Sequence, residues 1–462
     1  MYKEKLVTLQ LKNTVYLNTM KIKIGKGLNL PIAGAADTDD VRCIYVDRVS
    51  VVPGDFPGFV PKVDVTPGDT VTIGAPLMHD KRCPALKLVS PLAGTVVEVE
   101  RGERRRLLKV TVKAEGEACK HFDLTCNDAA ECAALLAESG LLALMRQRPY
   151  DVVPSPDVLP RDIFVSAIYS APLELPLACR ITAADKPALD EAAAFLARIT
   201  PGKVYLSHDA SWTFGAVQGA EMVEVEGPHP AGNVGVQIAN IAPVNKGDVV
   251  WTLDAVTLLR IGRLLQHGTF DASATVGVCG PAVAVPYVAR TVMGAPVKPL
   301  LEDAETNDGR RHRIISGNVL VGTAVGADGC LRYPYRQVTV IDEGDDVDEF
   351  MGWASLSPSK MSVNRTFPGH FLKRLFRPDA RLLGGRRAMI MSGEYDAMMP
   401  MDVMPEYLLK AIIARDIDNM ERLGIYEVAP EDFALAEYAD TSKLPLQHMV
   451  REGLDYLRKE LE

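Results

Sequence analysis

The stretch IFVSAIYSAPLELPLA (163–178) decides how the middle of this 462-residue sequence is read. Its first six residues are apolar almost throughout, which suits a strand buried on both faces of a sheet. In nucleotide-binding folds, the turn after such a strand is rich in glycine, so that backbone amides can approach a pyrophosphate. Here the turn YSAPLELPLA contains no glycine, and neither G-x-G-x-x-G nor G-x-x-x-x-G-K-[ST] occurs anywhere in the chain. The scaffold of a nucleotide fold is expected, without its phosphate grip.

Working outward, 204–206, 222–225, 249–253 and 274–278 read as further strands. Helices are expected at 185–199, with Pro187 in the first turn, at 254–266, capped by Asp254, and at 286–293, closed by Gly294. Apolar strands alternating with helices imply a parallel sheet covered on both faces, a Rossmann-like α/β domain spanning 149–296.

On the N-terminal side, short β-branched runs divided by Gly and Pro predict a small β domain over 20–120. Within it VTPGDTVTIGAPL (65–77) and SPLAGTV (90–96) form two matched hairpins that resemble the hammerhead of biotinyl and lipoyl carrier domains. A carrier lysine would fall close to Pro84, between Lys81 and Lys87, and proline has no amine to acylate, so a swinging arm is not expected. Residues 121–148 read as a helical connector, with Asn127 or Asp128 as N-cap and Gly140 as stop. A small β-rich unit follows at 297–345, then a helical C-terminal domain at 346–462 with helices near 405–415, 416–423, 431–436 and 446–460. Residues 1–19 lack the apolar core of a signal peptide and are expected to be a disordered extension, with Met20 as the favoured true start.

With 60 acidic against 51 basic side chains the formal charge is −9, which argues against nucleic acid as a partner. The longest uncharged run, Ala272 to Ala289, holds Gly280, Pro281 and Pro286, so no transmembrane helix is expected. The eight cysteines form no C-x-x-C pair and none lies after Cys330. Cys119, Cys126 and Cys132 come nearest to a cluster, and read as unrelated thiols rather than metal ligands; no metal is expected.

The clearest loop signal is GPHPAGNVG (227–235), directly after a strand. Gly227, Pro228 and Gly232 fix a sharp turn, Asn233 is placed to cap the next helix, and His229 either faces solvent on a rigid crossover or donates a proton to a reduced quinone oxygen. Arg101, Arg104, Arg105 and Arg106 form one basic stretch. Arg365, Lys373, Arg374, Arg377, Arg381, Arg386 and Arg387 form another, either a solvated face or a docking site for an anionic partner or lipid headgroups. Met389, Met391, Met398, Met399, Met401 and Met404 suit core packing, an interface or a pocket for a flat apolar ring.

KIKIGKGLNLPIAG (21–34), the two hairpins above, GPHPAGNVG (227–235) and MPMDVMPEYLLKAIIARDIDNMERLGIYEV (399–428) together resemble, in this order, the A subunits of the sodium-translocating NADH:quinone oxidoreductases, with the C subunit of the Rnf complex as a cousin. The resemblance implies a peripheral subunit on the cytoplasmic side of the bacterial inner membrane, without a transmembrane helix, assembled with subunits B to F. It implies ubiquinone or menaquinone as the substrate of the complex, with flavins and the iron–sulfur centre in partner subunits and no cofactor bound by this chain. It also implies a β-grasp, soluble-ligand-binding character for 297–345. A quinone site at Gly227, Pro228, His229, Gly232 and Asn233 is the expectation drawn from the loop chemistry. The alternatives are an Rnf-type C subunit that has lost its clusters, or a scaffold protein with no ligand.

Overall fold

The computed structural model describes residues 20–302, 304, 309–345, 350–363 and 366–461. Residues 1–19, on which the expectation of a disordered extension falls, and Arg365 lie outside them.

The central sheet has six strands in the order Met20–Lys23, Glu221–Glu226, Val204–His208, Asp162–Ser166, Val250–Asp254, Arg146–Arg148. The first five run parallel and the last antiparallel. Strand Asp162–Ser166 is buried at every position. Its alternate side chains go to opposite faces: Ile163 and Val165 pack with Leu189 and Leu258 of the helices Lys186–Leu196 and Ala255–His267, and Phe164 packs with Ile238 of the helix Val234–Ile241. The two-sided burial read from the apolar run is therefore real. The helix Ala255–His267 starts as expected, with the Asp254 carboxylate accepting the Thr257 amide at 3.1 Å, and it stops at the left-handed Gly268. Asp128 likewise caps Ala129–Glu138.

The N-terminal domain is built of a four-stranded and a three-stranded sheet. Its core residues Leu77, Val96, Val110 and Val112 belong to one continuous apolar cluster that runs through Leu136 of the connector helix into the α/β sheet at Ile163 and Trp251. The C-terminal helices Pro405–Ala414, Ile417–Arg422, Ala434–Ala439 and Leu446–Leu461 close over the opposite edge, where Leu408, Met420 and Leu454 share a core with Ile24 and Val225.

Three expectations are corrected. Residues 286–293 are not a helix but the strand Tyr287–Val292, antiparallel to Ser273–Cys279. Pro286 is a legitimate first-turn residue, yet Val288, Thr291 and Val292 are β-branched and prefer a pleated surface. The strand predicted at 274–278 joins not the parallel sheet but a second sheet, in the order Thr323–Val325, His312–Ser316, Gln337–Asp342, Ser273–Cys279, Tyr287–Val292, Asp37–Cys43. Finally, residues 20–23 and 37–43, read as part of the N-terminal β domain, are edge strands of the two other sheets.

Candidate functional site

From Asp162–Ser166 the chain builds outward to Val204–His208 and Glu221–Glu226, then crosses back to place Val250–Asp254 on the other side of its starting strand. At such a reversal the two connections leave in opposite directions, and a crevice opens beyond the strand ends where α/β folds bind their ligands. A cavity of about 550 Å³ lies there. Ser166, Ser170, His229, Gly232, Asn233 and Asp254 line it from the sheet side, the opposite wall is contributed by the 54–57 turn and by residues 317–337, and Glu431 closes it from the C-terminal helices.

The loop 227–235 is built into this wall. Asn29 Oδ1 accepts the His229 amide at 2.8 Å, and the His229 carbonyl accepts the Leu28 amide at 2.7 Å, so the N-terminal strand extension holds the loop from behind. Ser170 Oγ accepts the Gly232 amide at 3.0 Å and lies 3.1 Å from His229 Nδ1. The Ser170 hydroxyl and His229 Nδ1 share a hydrogen bond, and the neutral imidazole carries a single N–H. His229 is only 5% exposed, and burial pushes its pKa down from 6.5 to about 4. It is a neutral hydrogen-bond donor near neutral pH, neither solvent-facing nor a cationic acid.

That burial sets a pH dependence. The unfolded chain takes up this proton near 6.5 and the folded chain only near 4, so between these values the unfolded state binds more protons and stability falls as the pH drops. The whole window is worth about 3 kcal/mol. His229→Gln, which does not titrate, should flatten this slope by that amount in urea denaturation compared near neutrality and near pH 4. An unchanged slope would refute the neutral-imidazole assignment.

The N-terminus of the helix Val234–Ile241 faces a buried ionic cluster. A Cβ on Gly235 would lie 2.6 Å from Asp432 Oδ2, so the chain's own carboxylate sits against the positive end of the helix, where an anionic ligand would otherwise fit. Asp432 accepts the Ala429 amide at 2.8 Å and pairs at 3.2 Å with Arg148, itself 1% exposed. Arg148 also pairs with Glu431 at 3.2 Å. Burial and the neighbouring Asp432 push the Glu431 carboxyl up to about 7, although 43% of its side chain remains open to the cleft. Asn233 stands at the N-cap position but does not cap; its amide donates to the Glu431 carbonyl at 3.2 Å.

On the wall directly after Asp162–Ser166, the Tyr169 hydroxyl is buried without a hydrogen-bond partner, with the Arg180 guanidinium stacked on its ring at 4.0 Å. Burial holds this phenol protonated, with its pKa raised to about 12. Farther along, Arg336 pairs with Asp254 and Arg332 with Asp55, consuming those charges within the wall.

Of the five expected site residues, His229, Gly232 and Asn233 line the cleft. Gly227 and Pro228 are not among its lining residues, and a Cβ on Gly227 would instead meet Ile24 O at 2.6 Å. Sequence reasoning missed Tyr169, Ser170 and Glu431. The first two follow the strand whose end defines the crevice and could have been taken from that rule alone, whereas Glu431 arrives by tertiary packing. Pro84 falls in the turn between the strands Pro76–Asp80 and Lys87–Val89. Cys126 and Cys132 lie with their Sγ atoms 3.1 Å apart, while Cys119 is exposed with its thiol at the Glu117 carbonyl. The methionines divide: Met399 and Met401 are buried in the C-terminal core, and Met391 and Met404 are exposed.

Comparison with known proteins covers all the sheets just described. Residues 22–115 match the NqrA N-terminal barrel-sandwich hybrid domain, 127–270 the NqrA second alpha/beta domain, and 275–327 the NQRA C-terminal domain. The A subunit of the Na(+)-translocating NADH-quinone reductase of Serratia proteamaculans is 36% identical over 95% of this chain and 100% of its own length. Those of Pasteurella multocida and Neisseria meningitidis are 35% and 34% identical, each over 95% of this chain and 100% of their own length. An NAD+-reducing [NiFe]-hydrogenase structure covers 72% of the chain at 13% identity with a TM-score of 0.38, too remote a likeness to argue from. Matched end to end by these relatives, and domain by domain in the same order, the chain belongs to the family of the A subunits of the Na(+)-translocating NADH-quinone reductases.

Proposed function

We propose that this chain works as the peripheral A subunit of a complex that passes electrons from NADH to ubiquinone or menaquinone and exports Na+, and that its switch-point cleft receives the quinone headgroup. The match over the full length of the named relatives carries the first part. In this reading the chain sits at the cytoplasmic side of the inner membrane with subunits B to F; among the described residues no helix is long and apolar enough to cross a membrane. The flavins and the iron–sulfur centre belong to those partners. In support, the turn after the first strand is glycine-free and Asp432 stands at the helix N-terminus, an arrangement that repels a pyrophosphate. The strand order supports a Rossmann-like label for the central sheet and the paired hairpins a biotinyl/lipoyl-like label for the N-terminal domain, and the strands His312–Ser316, Thr323–Val325 and Gln337–Asp342 are consistent with the β-grasp label for 297–345.

The chemistry available in the cleft suits a quinone. The Tyr169 hydroxyl and the neutral His229 imidazole both line the cleft as hydrogen-bonding groups suited to a quinone oxygen, and neither carries a charge that would favour a dinucleotide. Reduction of a quinone to a quinol takes two electrons, supplied by the partner proteins, and two protons. Glu431, with its carboxyl near 7, is the cleft group able to both give and regain a proton at neutral pH.

The decisive experiment uses the assembled complex. Removing this chain should abolish NADH-driven Na+ uptake by inverted membrane vesicles, and restoring it should bring uptake back; uptake that survives its removal would end the assignment to that complex. In the same complex, Glu431→Gln should lower quinone reductase turnover about 10²-fold and erase the pH limb near neutrality. Normal turnover and an unaltered pH profile in both Glu431→Gln and His229→Gln would leave the chain as a scaffold without a quinone.

A further inference from the structure

The basic segment singled out in the sequence takes no part in the switch-point cleft. Its described residues border a second cavity of about 480 Å³, lined by residues from 359–363 and 366–387 and by the C-terminal residues 434–447. Arg377, Arg386, Arg387 and Lys443 line this cavity. Of its carboxylates, Asp379 pairs with Arg381 at 2.7 Å, and Glu437 accepts the Gln447 backbone amide at 2.8 Å. The nearby Asp440 carboxylate accepts the amides of Ser442 and Leu444 at 2.9 and 2.7 Å. Among the described residues, no carboxylate lies within ion-pair distance of Arg386, Arg387 or Lys443. Burial holds the Lys443 ammonium below its ordinary pKa, against the pull of Asp440 and Glu394, and Arg387 adds a smaller repulsion. Basic groups gathered at one cavity, none of the three ion-paired among the described residues, attract an anion from outside.

The rim of this cavity is apolar and open. Trp353 and Leu382 both line it and are 49% and 55% exposed. Leu356, Phe371 and Leu375 nearby are 74%, 69% and 66% exposed. Arg374 donates to the Pro358 carbonyl at 2.8 Å, which ties the 371–375 stretch to the 353–358 stretch on one side of the molecule. Globular surfaces rarely gather so many large apolar side chains in one place. Residues 372–392 form no helix or long strand, and along them basic and apolar side chains are interleaved, as in Leu372-Lys373-Arg374-Leu375. Interleaved guanidinium groups, Trp and Leu suit a soft layer, negatively charged outside and apolar a few ångströms below.

We infer that this face docks on an anionic lipid surface, with phosphate headgroups entering the cavity at Arg386, Arg387 and Lys443 and with Trp353, Phe371, Leu375 and Leu382 entering the interfacial layer. The inference deepens the peripheral placement proposed above. Protein-free vesicles keep the two separable, because assembly with the other proteins of the complex is not measured there.

The test is sedimentation of the full chain with vesicles of phosphatidylcholine alone and with vesicles that also contain phosphatidylglycerol. Binding is expected only to the second kind, weakening as salt is raised. Arg386→Glu with Arg387→Glu should lower the partition coefficient about 30-fold or more, at about 1 kcal/mol per basic residue lost. Phe371→Ser with Leu375→Ser, at exposed positions where folding is not at stake, should lower it about tenfold. Inorganic phosphate at matched ionic strength should not compete; full competition would show a site for the free ion and overturn the lipid assignment. So would equal binding to both kinds of vesicle, binding to neither, or binding that appears only when a partner membrane protein is present.

Discussion

Arg148→Met should cost about 3–5 kcal/mol of stability, because it strands a buried carboxylate. Arg148 is 1% exposed and Asp432 2%, and the guanidinium is the only cation within ion-pair distance of Asp432 among the described residues. Burial already pushes the Asp432 carboxyl up, with Arg148 as the main opposing influence. Without that cation, the group is left against Glu431 and Asp151, and it will take up a proton to escape the charge. The deficit should therefore shrink in acid, where the proton is freely supplied, and be full near neutrality. Arg148→Met combined with Asp432→Leu should recover most of the loss, since an apolar pair of similar volume carries no desolvation cost. Urea midpoints of the two single variants, the double variant and the parent complete the cycle. A single-variant loss below about 1 kcal/mol would show that water reaches the pair.

Gly27→Ala should be nearly as damaging, at about 3–5 kcal/mol, while Gly25→Ala two residues earlier should be close to neutral. Gly27 has a φ of +115°, a region closed to side chains, and its added Cβ would lie 2.2 Å from the His229 carbonyl and 2.9 Å from Pro230. Backbone strain of about 1–3 kcal/mol and overpacking of similar size add together. Relief would have to come from moving the loop that carries His229, which the Leu28 amide and Asn29 hold in place. Gly25 meets nothing within 4 Å. Equal stability of the two variants would mean that the loop yields freely, and that the cleft wall is not fixed from behind.

The parts of this molecule that could be read in advance are those set by neighbours in sequence. Asp254, and Asp128 as one of two candidates with Asn127, announce helix starts because a short carboxylate before an apolar run has a local use, and each accepts the expected amide; Asp416, read as the first helical residue, is in fact a cap of the same kind. The strand at 163–168 was legible because burial on both faces leaves an uninterrupted apolar text. The misreading at 286–293 arose where two local signals conflict, a first-turn proline against β-branched residues, and a partner strand settled the matter. Strand Asp37–Cys43 was invisible for a related reason: it is an edge strand, mostly exposed, and its composition is polar. In the cleft, His229, Gly232 and Asn233 could be singled out because Pro and Gly mark a rigid turn. Glu431 could not, since its raised pKa depends on Asp432 and on burial created by strands and helices hundreds of residues apart.

The parallel pairing of Met20–Lys23 with Glu221–Glu226 carries a cost during synthesis. The segment made first must stay unpaired until roughly 200 further residues have been translated, about 10–40 s at ordinary elongation speeds. Throughout that interval Ile22 and Ile24 lack the sheet and helices that cover them in the folded chain. Moving this strand to the far end of a circularly permuted gene, behind its partner, would remove the delay and should raise the yield of folded protein from cells short of chaperones.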